Sequence, residues 1–137
     1  MIYITRLEQF NAAHRLFSPE LTDAENLEVF GKCSNPNWHG HNYDLFVTVK
    51  GDVNPATGFL MNLKVLSNII NEKIIEKVDH KNLNLDVDFM QGVLPSAENI
   101  VMTFWKELEG PVNEQGAQLH CIKLYETERN FVEYFGS

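Results

Sequence analysis

Three histidines stand where their side chains could bind one metal ion. His39 and His41 flank Gly40 at the start of a run of alternating residues that is typical of a β-strand. Side chains in a strand point alternately to its two faces, so residues two positions apart share a face. A third histidine, His14, follows an earlier strand-like run. Three imidazole ligands leave one coordination position open, which is typical of a catalytic zinc, although ligand type alone also allows iron or copper.

The two cysteines differ in their surroundings. Cys121 lies in an apolar run, and we interpret it as a small buried hydrophobic residue. Cys33 lies in a polar loop beside Lys32 and precedes His39 by six residues. A nearby cation and a metal ion would lower the pKa of its thiol, which could then act as a base or nucleophile. Alternatively, Cys33 is a fourth zinc ligand, and the site would then be closed and structural.

Three further residues have chemistry that a catalytic site could use. Asp79 and His80 follow a predicted helix. Either His80 only interacts with the dipole at the end of that helix, or Asp79 orients the imidazole for proton transfer. Glu126 ends a predicted strand on the face that carries apolar residues. It is therefore either solvated at the end of the sheet, or a buried carboxylate that accepts two parallel N–H bonds from a guanidine-like ligand.

The composition restricts the class of protein. The chain has 137 residues, 44% of them hydrophobic, which predicts a single domain over residues 1–137 with its own core. A net charge of −8 without a basic cluster argues against nucleic-acid binding. No apolar run is long enough to span a membrane, and the first residues do not resemble a secretory signal. With only two cysteines, these features predict a reducing, cytoplasmic environment.

The periodicity of apolar residues predicts the order of the elements. Four segments have the alternation of strands, namely 2–10, 39–50, 117–126 and 130–135. Two segments have helical spacing: one follows Asn62 as N-cap and ends near Val78, and the other follows Ser96 and stops at Gly110-Pro111. Residues 17–37 are expected to form a long loop. The order β, β, α, α, β, β predicts an α+β domain with an antiparallel sheet.

A series of separated motifs extends over nearly the whole chain. The motifs are Phe10–Leu16, Cys33–Tyr43, Gly58–Leu63, Val78–Asn84, Pro95–Asn99 and Tyr125–Thr127. In content and order they resemble the 6-pyruvoyl-tetrahydropterin synthase family. So many matches in one order are very unlikely to arise by chance.

The resemblance implies a fold and a set of site residues. The fold would be the tunnelling fold, a four-stranded antiparallel sheet with two helices on one face. Subunits of this fold join their sheets into a β-barrel, typically a homohexamer of two trimers with active sites at subunit interfaces. The implied roles are metal binding by His14, His39 and His41, general base catalysis by Cys33, a proton relay through Asp79 and His80 of a neighbouring subunit, and substrate binding by Glu126, Glu98 and Thr127.

The resemblance also implies a reaction and its cofactors. The substrate would be the small molecule 7,8-dihydroneopterin triphosphate, and a carbon–oxygen lyase reaction would eliminate triphosphate to give 6-pyruvoyl-tetrahydropterin. The expected cofactors are Zn²⁺ at the histidines and Mg²⁺, which would help an acidic protein to accept a triphosphate. The candidates for phosphate contacts are Arg15, Lys32, Lys64 and Lys81. The sequence gives no basis for choosing among these four residues.

Two other functions remain open from the sequence. The first is 6-carboxy-tetrahydropterin synthase, which takes the same substrate, releases acetaldehyde and commonly has its cysteine closer to the His-Gly-His element. The spacing from Cys33 to His39 and the segment 96–100 favour the pyruvoyl enzyme. The second is a non-catalytic zinc-binding module in which Cys33 closes the site. A separate basic cluster or degenerate site residues would favour that module, and the sequence has neither.

Overall fold

The fold is organised around one twisted sheet. A computed structural model describes residues 1–137. The strands are β1 (Ile2–His14), β2 (His39–Gly51), β3 (Lys81–Asn82), β4 (Gln118–Tyr125) and β5 (Phe131–Tyr134). Their spatial order is β3-β1-β2-β4-β5, in which the four longer strands pair antiparallel and the two-residue β3 runs parallel to β1. The predicted α+β class is confirmed, but the sheet is five-stranded and mixed rather than four-stranded and antiparallel.

Three helical segments accompany the sheet. Helix α1 spans Asp23–Phe30, α2 spans Leu63–Ile70 and continues through a π-helical turn (Asn71–Ile75) into α3 (Glu76–Val78), and α4 spans Ala97–Asn113. The side chain of Asn62 accepts a hydrogen bond from the Lys64 amide, and that of Ser96 accepts one from the Asn99 amide. Both predicted N-caps are therefore confirmed. None of the helices combines the length and the apolarity needed to cross a membrane.

Two predictions about helices were wrong. Residues 17–37 are not all loop, because α1 forms there behind a capping box in which Thr22 and Glu25 bond to each other's backbone. Helix α4 does not stop at Gly110-Pro111 but continues to Asn113. Val112, in that last turn, has no accessible surface. Its burial offsets the hydrogen bond that the proline removes.

The core lies between one face of the sheet and the long helices. From Tyr43 to Val49 the side chains of β2 that point to this face are inaccessible to solvent, as are the helical residues packed on them. The central members are Leu45, Val47, Val49, Leu66, Ile70, Phe104 and Leu108. The opposite face of the sheet carries the partly exposed members of the same alternation. This alternation is the one predicted from the sequence for β2.

The register of β1 on β2 places the candidate site at one end of the sheet. His14 lies opposite His39, Ala12 opposite His41, and Phe10 opposite Tyr43. Since β1 is antiparallel to β2, its last residues meet the first residues of β2. The histidines are thus brought together by the strand pairing itself, on the face that the helices cover.

Candidate active site

The three histidines form one compact cluster. One ring nitrogen of each lies within 4.8 Å of the others, and Nε2 of His14 is 2.9 Å from Nε2 of His39. Ring nitrogens bound to one zinc ion each lie about 2.0–2.1 Å from it, so no two can be more than about 4.2 Å apart. Small side-chain rotations would therefore bring all three onto one ion.

His14 is held in the orientation that metal binding needs. It is fully buried, and its Nδ1 donates to the backbone carbonyl of Pro95 at 2.8 Å. Pro95 directly precedes the N-cap of α4, so that helix positions the acceptor. A proton on Nδ1 leaves Nε2 unprotonated and able to bind a metal ion, as is usual for metal-binding histidines.

The electrostatics of the cluster also fit a cation. Nε2 of His41 and Nδ1 of His39 are buried and have no hydrogen-bond partner within the chain. Such unpartnered buried nitrogens are costly, and a metal ion would satisfy the one on His41. Burial lowers the pKa of both His14 and His41, so they are neutral near pH 7. Neutral imidazole is the form that binds a metal ion, so the residues fit the implied zinc.

Cys33 lies close to the cluster but is not part of its ligand set. It sits in a 3₁₀ turn (Gly31–Ser34), and its carbonyl accepts a hydrogen bond from the Leu16 amide at 2.7 Å, two residues after His14. Its sulfur is outside the group of nitrogens that could share an ion. This placement argues against the closed site with Cys33 as fourth ligand.

The chain's own groups do not lower the pKa of the Cys33 thiol. Burial raises this pKa, and the charge of Glu126 raises it further. Lys32, the neighbouring cation, is exposed and does not reverse the effect. The chain alone therefore keeps the thiol protonated near neutral pH, and a thiolate requires a positive charge that these residues do not supply.

Glu126 reaches the cluster from the end of β4. Its Oε1 is 3.6 Å from Nε2 of His41, and its side chain is 23% exposed. The Glu126 amide donates to the Asn130 carbonyl, and Oγ1 of Thr127 accepts hydrogen bonds from the amides of Arg129 and Asn130. Thr127 thus shapes the turn that presents the carboxylate, and Glu126 is both near the cluster and open on one side.

Glu98, Asp79 and His80 are not members of the histidine cluster. Glu98 is exposed in the first turn of α4. Asp79 accepts a hydrogen bond from the Asn11 amide at 3.0 Å, and the His80 amide donates to the Asn11 carbonyl, so both residues lie along the edge of β1. Their side chains meet at 3.1 Å, and that of His80 is 75% exposed. Asp79 therefore orients an imidazole that faces solvent.

Tyr43 belongs to the site and was missed as a site residue. It follows His41 on the same face of β2 and stacks on Phe10 with ring centroids 4.7 Å apart. It is 0% exposed, yet its hydroxyl has no partner within the chain. Burial raises its pKa, as do the charges of Glu126 and Cys33. The available signal was a hydroxyl-bearing residue in an otherwise aliphatic stripe next to the histidines.

The fold and the cluster together define an α+β protein with an open three-histidine site. A sequence model described as 6-pyruvoyl tetrahydropterin synthase matches residues 3–137, and the chain belongs to that family. The predicted family is therefore confirmed.

Individual relatives agree with this assignment. The chain is 47% identical to a 6-pyruvoyl tetrahydrobiopterin synthase of Pongo abelii, covering 97% of this chain and 90% of the relative. It superposes on 6-pyruvoyl tetrahydropterin synthase of Caenorhabditis elegans with a TM-score of 0.90 and 37% identity, covering 99% and 96% of the two chains. A 6-carboxy-5,6,7,8-tetrahydropterin synthase of Bacillus subtilis is 30% identical over 78% of this chain and 73% of its own.

Proposed function

We propose that the chain is a zinc-dependent lyase that converts 7,8-dihydroneopterin triphosphate into 6-pyruvoyl-tetrahydropterin and triphosphate. The observation that carries the proposal is the buried three-histidine cluster with Cys33 and Glu126 beside it, in a chain of this family. The higher identity to the pyruvoyl enzyme than to the carboxy enzyme favours the former product.

His14, His39 and His41 would hold the zinc. When bound there, zinc supplies Lewis acidity toward the hydroxyls of the substrate side chain. The Pro95 carbonyl keeps His14 in the productive tautomer. Glu126, close to His41, adds a carboxylate whose open side can accept N–H groups of the pterin ring.

Cys33 is proposed as the general base. As a thiolate it would take the proton from the side-chain carbon that bears a hydroxyl, and the pterin ring would be protonated in turn. The carbon–oxygen bond to triphosphate then breaks, with its electron pair leaving on the phosphate oxygen. Tautomerisation leaves two ketones, so the side chain is oxidised as the ring is reduced. No external redox cofactor is needed.

Asp79 and His80 are proposed to serve the site of a neighbouring subunit. The two side chains meet at 3.1 Å, and that of His80 is largely exposed to solvent. His80 also adopts φ 61°, a left-handed backbone conformation that is uncommon for a non-glycine residue and recurs at active sites. An imidazole held this way can pass protons to a ligand bound on another subunit.

A relay of this kind requires active sites between subunits, and we propose a homohexamer. The sheet has edges and an apolar face through which subunits can join. Strand β3 pairs with β1 only at Ala12 and Ala13, so residues 2–9 of β1 have a free edge, and β5 is the free edge on the other side. The sheet face away from the helices exposes Tyr3, Phe131 and Phe135. Open edges beside apolar side chains favour pairing between subunits, and light scattering would measure the subunit number.

Product analysis by mass spectrometry tests the activity. Zinc-loaded protein incubated with 7,8-dihydroneopterin triphosphate and Mg²⁺ is expected to yield the pyruvoyl product and triphosphate, and Cys33→Ala to yield neither while still binding zinc. Cys121→Ala removes the other free thiol, far along the chain, and is the matched control. Acetaldehyde with the carboxy product would assign the chain to the other activity. No turnover at all would overturn both assignments.

A further inference from the structure

A pocket beside the histidine cluster carries two basic residues. Its volume is about 710 Å³, and it lies between the start of α1, the segment 31–36 and His39. Arg15, at the end of β1, and Lys32 both line it. Of the other two basic residues that the sequence left open as phosphate contacts, Lys64 is exposed in the first turn of α2. Lys81 lines a second pocket, which also includes His41 and His80, but there it is the only Lys or Arg and is accompanied by the carboxylate of Asp86.

Arg15 is held in place while part of its guanidinium stays free. Its Nε donates to the Ser34 carbonyl at 2.9 Å, and its guanidinium carbon lies 4.1 Å from the centre of the Phe17 ring. Its backbone is fixed by the side chain of Asn84, which bonds to both the amide and the carbonyl. The two terminal nitrogens, Nη1 and Nη2, have no partner within the chain, so they are available in a fixed orientation.

Neither cation is neutralised by the protein. Arg15 and Lys32 form no ion pair, although the chain has 19 acidic residues and a net charge of −8. Asp23 lines the same pocket but lies beyond ion-pair distance from both. Two unpaired cations in one concave site create a local positive potential. This potential attracts an anionic ligand in spite of the negative net charge of the molecule.

We propose that Arg15 and Lys32 form the subsite that binds the phosphate groups of the substrate. This inference rests on the proposed function, because it names the part of the same active site that holds the leaving group. The pocket begins at His39, so a ligand whose hydroxyls reach the cluster can extend its phosphate chain between the two cations. The guanidinium donates two N–H groups to one phosphate, and the lysine adds a mobile point charge.

Calorimetric titration of the zinc-loaded protein with inorganic tripolyphosphate tests the subsite without requiring turnover. Lys32→Gln is expected to raise the Kd for tripolyphosphate about 10-fold, the lower range for a charge-assisted hydrogen bond at a partly exposed site. Arg15→Lys keeps the charge but loses the fork geometry, and is expected to raise the Kd by a smaller factor. Asp23→Asn removes the opposing charge and is expected to lower it.

Lys64→Gln is the matched control, because it removes the same charge from the same molecule outside the pocket. Its Kd for tripolyphosphate is expected to stay that of the wild type. The Kd for 7,8-dihydroneopterin, which has no phosphate, is expected to stay unchanged in Lys32→Gln. Lys32 is exposed, so its replacement does not disturb folding, whereas Arg15 anchors Ser34 and its variants need a thermal melt beside each titration.

The possible results distinguish a failure of the subsite from a failure of the proposed function. Equal Kd values for Lys32→Gln, Lys64→Gln and wild type would overturn the subsite even if the wild type turns over its substrate. Selective weakening in Lys32→Gln and Arg15→Lys without turnover by the wild type would establish the subsite and overturn the proposed function. If turnover occurs, the subsite also requires the KM for the triphosphate substrate to rise in Lys32→Gln.

Discussion

The two ends of the inward face of β2 have the same backbone and opposite chemistry. From Leu45 to Val49 the inward side chains are aliphatic, inaccessible and packed against the long helices. From His39 to Tyr43 they are polar, and three of their atoms are buried without a partner in the chain. The strand pairing with β1 is continuous through both regions. The alternation of inward and outward side chains is thus the same in both regions of β2. Only the residue types differ, and they produce the candidate site at one end.

The polar end of β2 contributes less to the stability of the fold than the aliphatic end. The aliphatic end removes apolar surface from water, which is the main stabilising contribution to a fold of this size. The polar end keeps donors and acceptors whose partners must be supplied by a bound ion, water or substrate. Substitutions at the two ends should therefore affect different measurements.

The largest loss of stability is expected from Leu45→Ala, at the aliphatic end. Leu45 is 0% exposed, and truncating such a residue costs about 2–5 kcal/mol through lost burial and a residual cavity. Urea denaturation monitored by circular dichroism measures it, and zinc content per folded chain should stay that of the wild type. A loss of zinc in the folded fraction would show that the two ends are not independent.

His41→Ala, at the polar end, should lower the affinity for zinc and leave the stability of the metal-free protein nearly unchanged. Removing a direct ligand is expected to weaken zinc binding by more than about 100-fold, beyond the usual effect of altering a ligand's supporting residues. The stability of the metal-free protein should change little, because the substitution also removes a buried unpartnered nitrogen. His120→Ala, on the opposite sheet face against Tyr3 and Phe135, is the control for removing an imidazole. Equal zinc affinity in both variants would contradict the cluster.

Tyr43→Phe should leave the metal-free protein as stable as the wild type or roughly 1 kcal/mol more stable, since an unpartnered buried hydroxyl is lost and the ring packing is kept. Urea denaturation of the metal-free forms gives the difference. Phe10→Leu, which alters the stacked partner without touching a polar atom, should destabilise instead. A marked loss of stability in Tyr43→Phe would mean that the hydroxyl has a partner in solution.

The smallest effect expected is a pH dependence of the metal-free protein. Burial lowers the pKa of His14 and His41 from 6.5 in the folded chain, so below pH 6.5 the unfolded chain binds more protons. The free energy of unfolding should therefore fall as the pH drops through 6.5 toward the folded-state values. Denaturation at pH 7.5 and pH 5.5 measures this, and His41→Ala should reduce the slope. A stability that increases on acidification would contradict the burial of neutral imidazoles.

Most of the fold could be predicted because it follows local patterns. The alternation of β2 and the N-caps at Asn62 and Ser96 were correct, since each depends on residues close in sequence. Strand β3 was missed because it is two residues long and exists only through its pairing with β1. Helix α1 was missed although Thr22 and Glu25 carry a capping-box signature. Its only buried residue is the polar Asn26, so apolar periodicity is absent there.

The clustering of the three histidines was predictable, but the electrostatics around them were not. The shared face of His39 and His41 follows from strand geometry, and His14 joins them through the register of β1 on β2. The pKa of Cys33 could not be inferred, because its burial and the approach of Glu126 depend on chain segments far apart in sequence. The same holds for Arg15 and Lys32, which share a pocket only after folding.

X-ray absorption spectroscopy at the zinc edge is the most direct test of the three-histidine site, because it reports the ligands of the bound ion. Three imidazole nitrogens at about 2.0–2.1 Å, one oxygen ligand from water and no sulfur are expected. The spectrum of Cys33→Ala should then be the same as that of the wild type. A zinc–sulfur distance of about 2.3 Å that disappears in Cys33→Ala would show a closed site and contradict the assignment of Cys33 as the base.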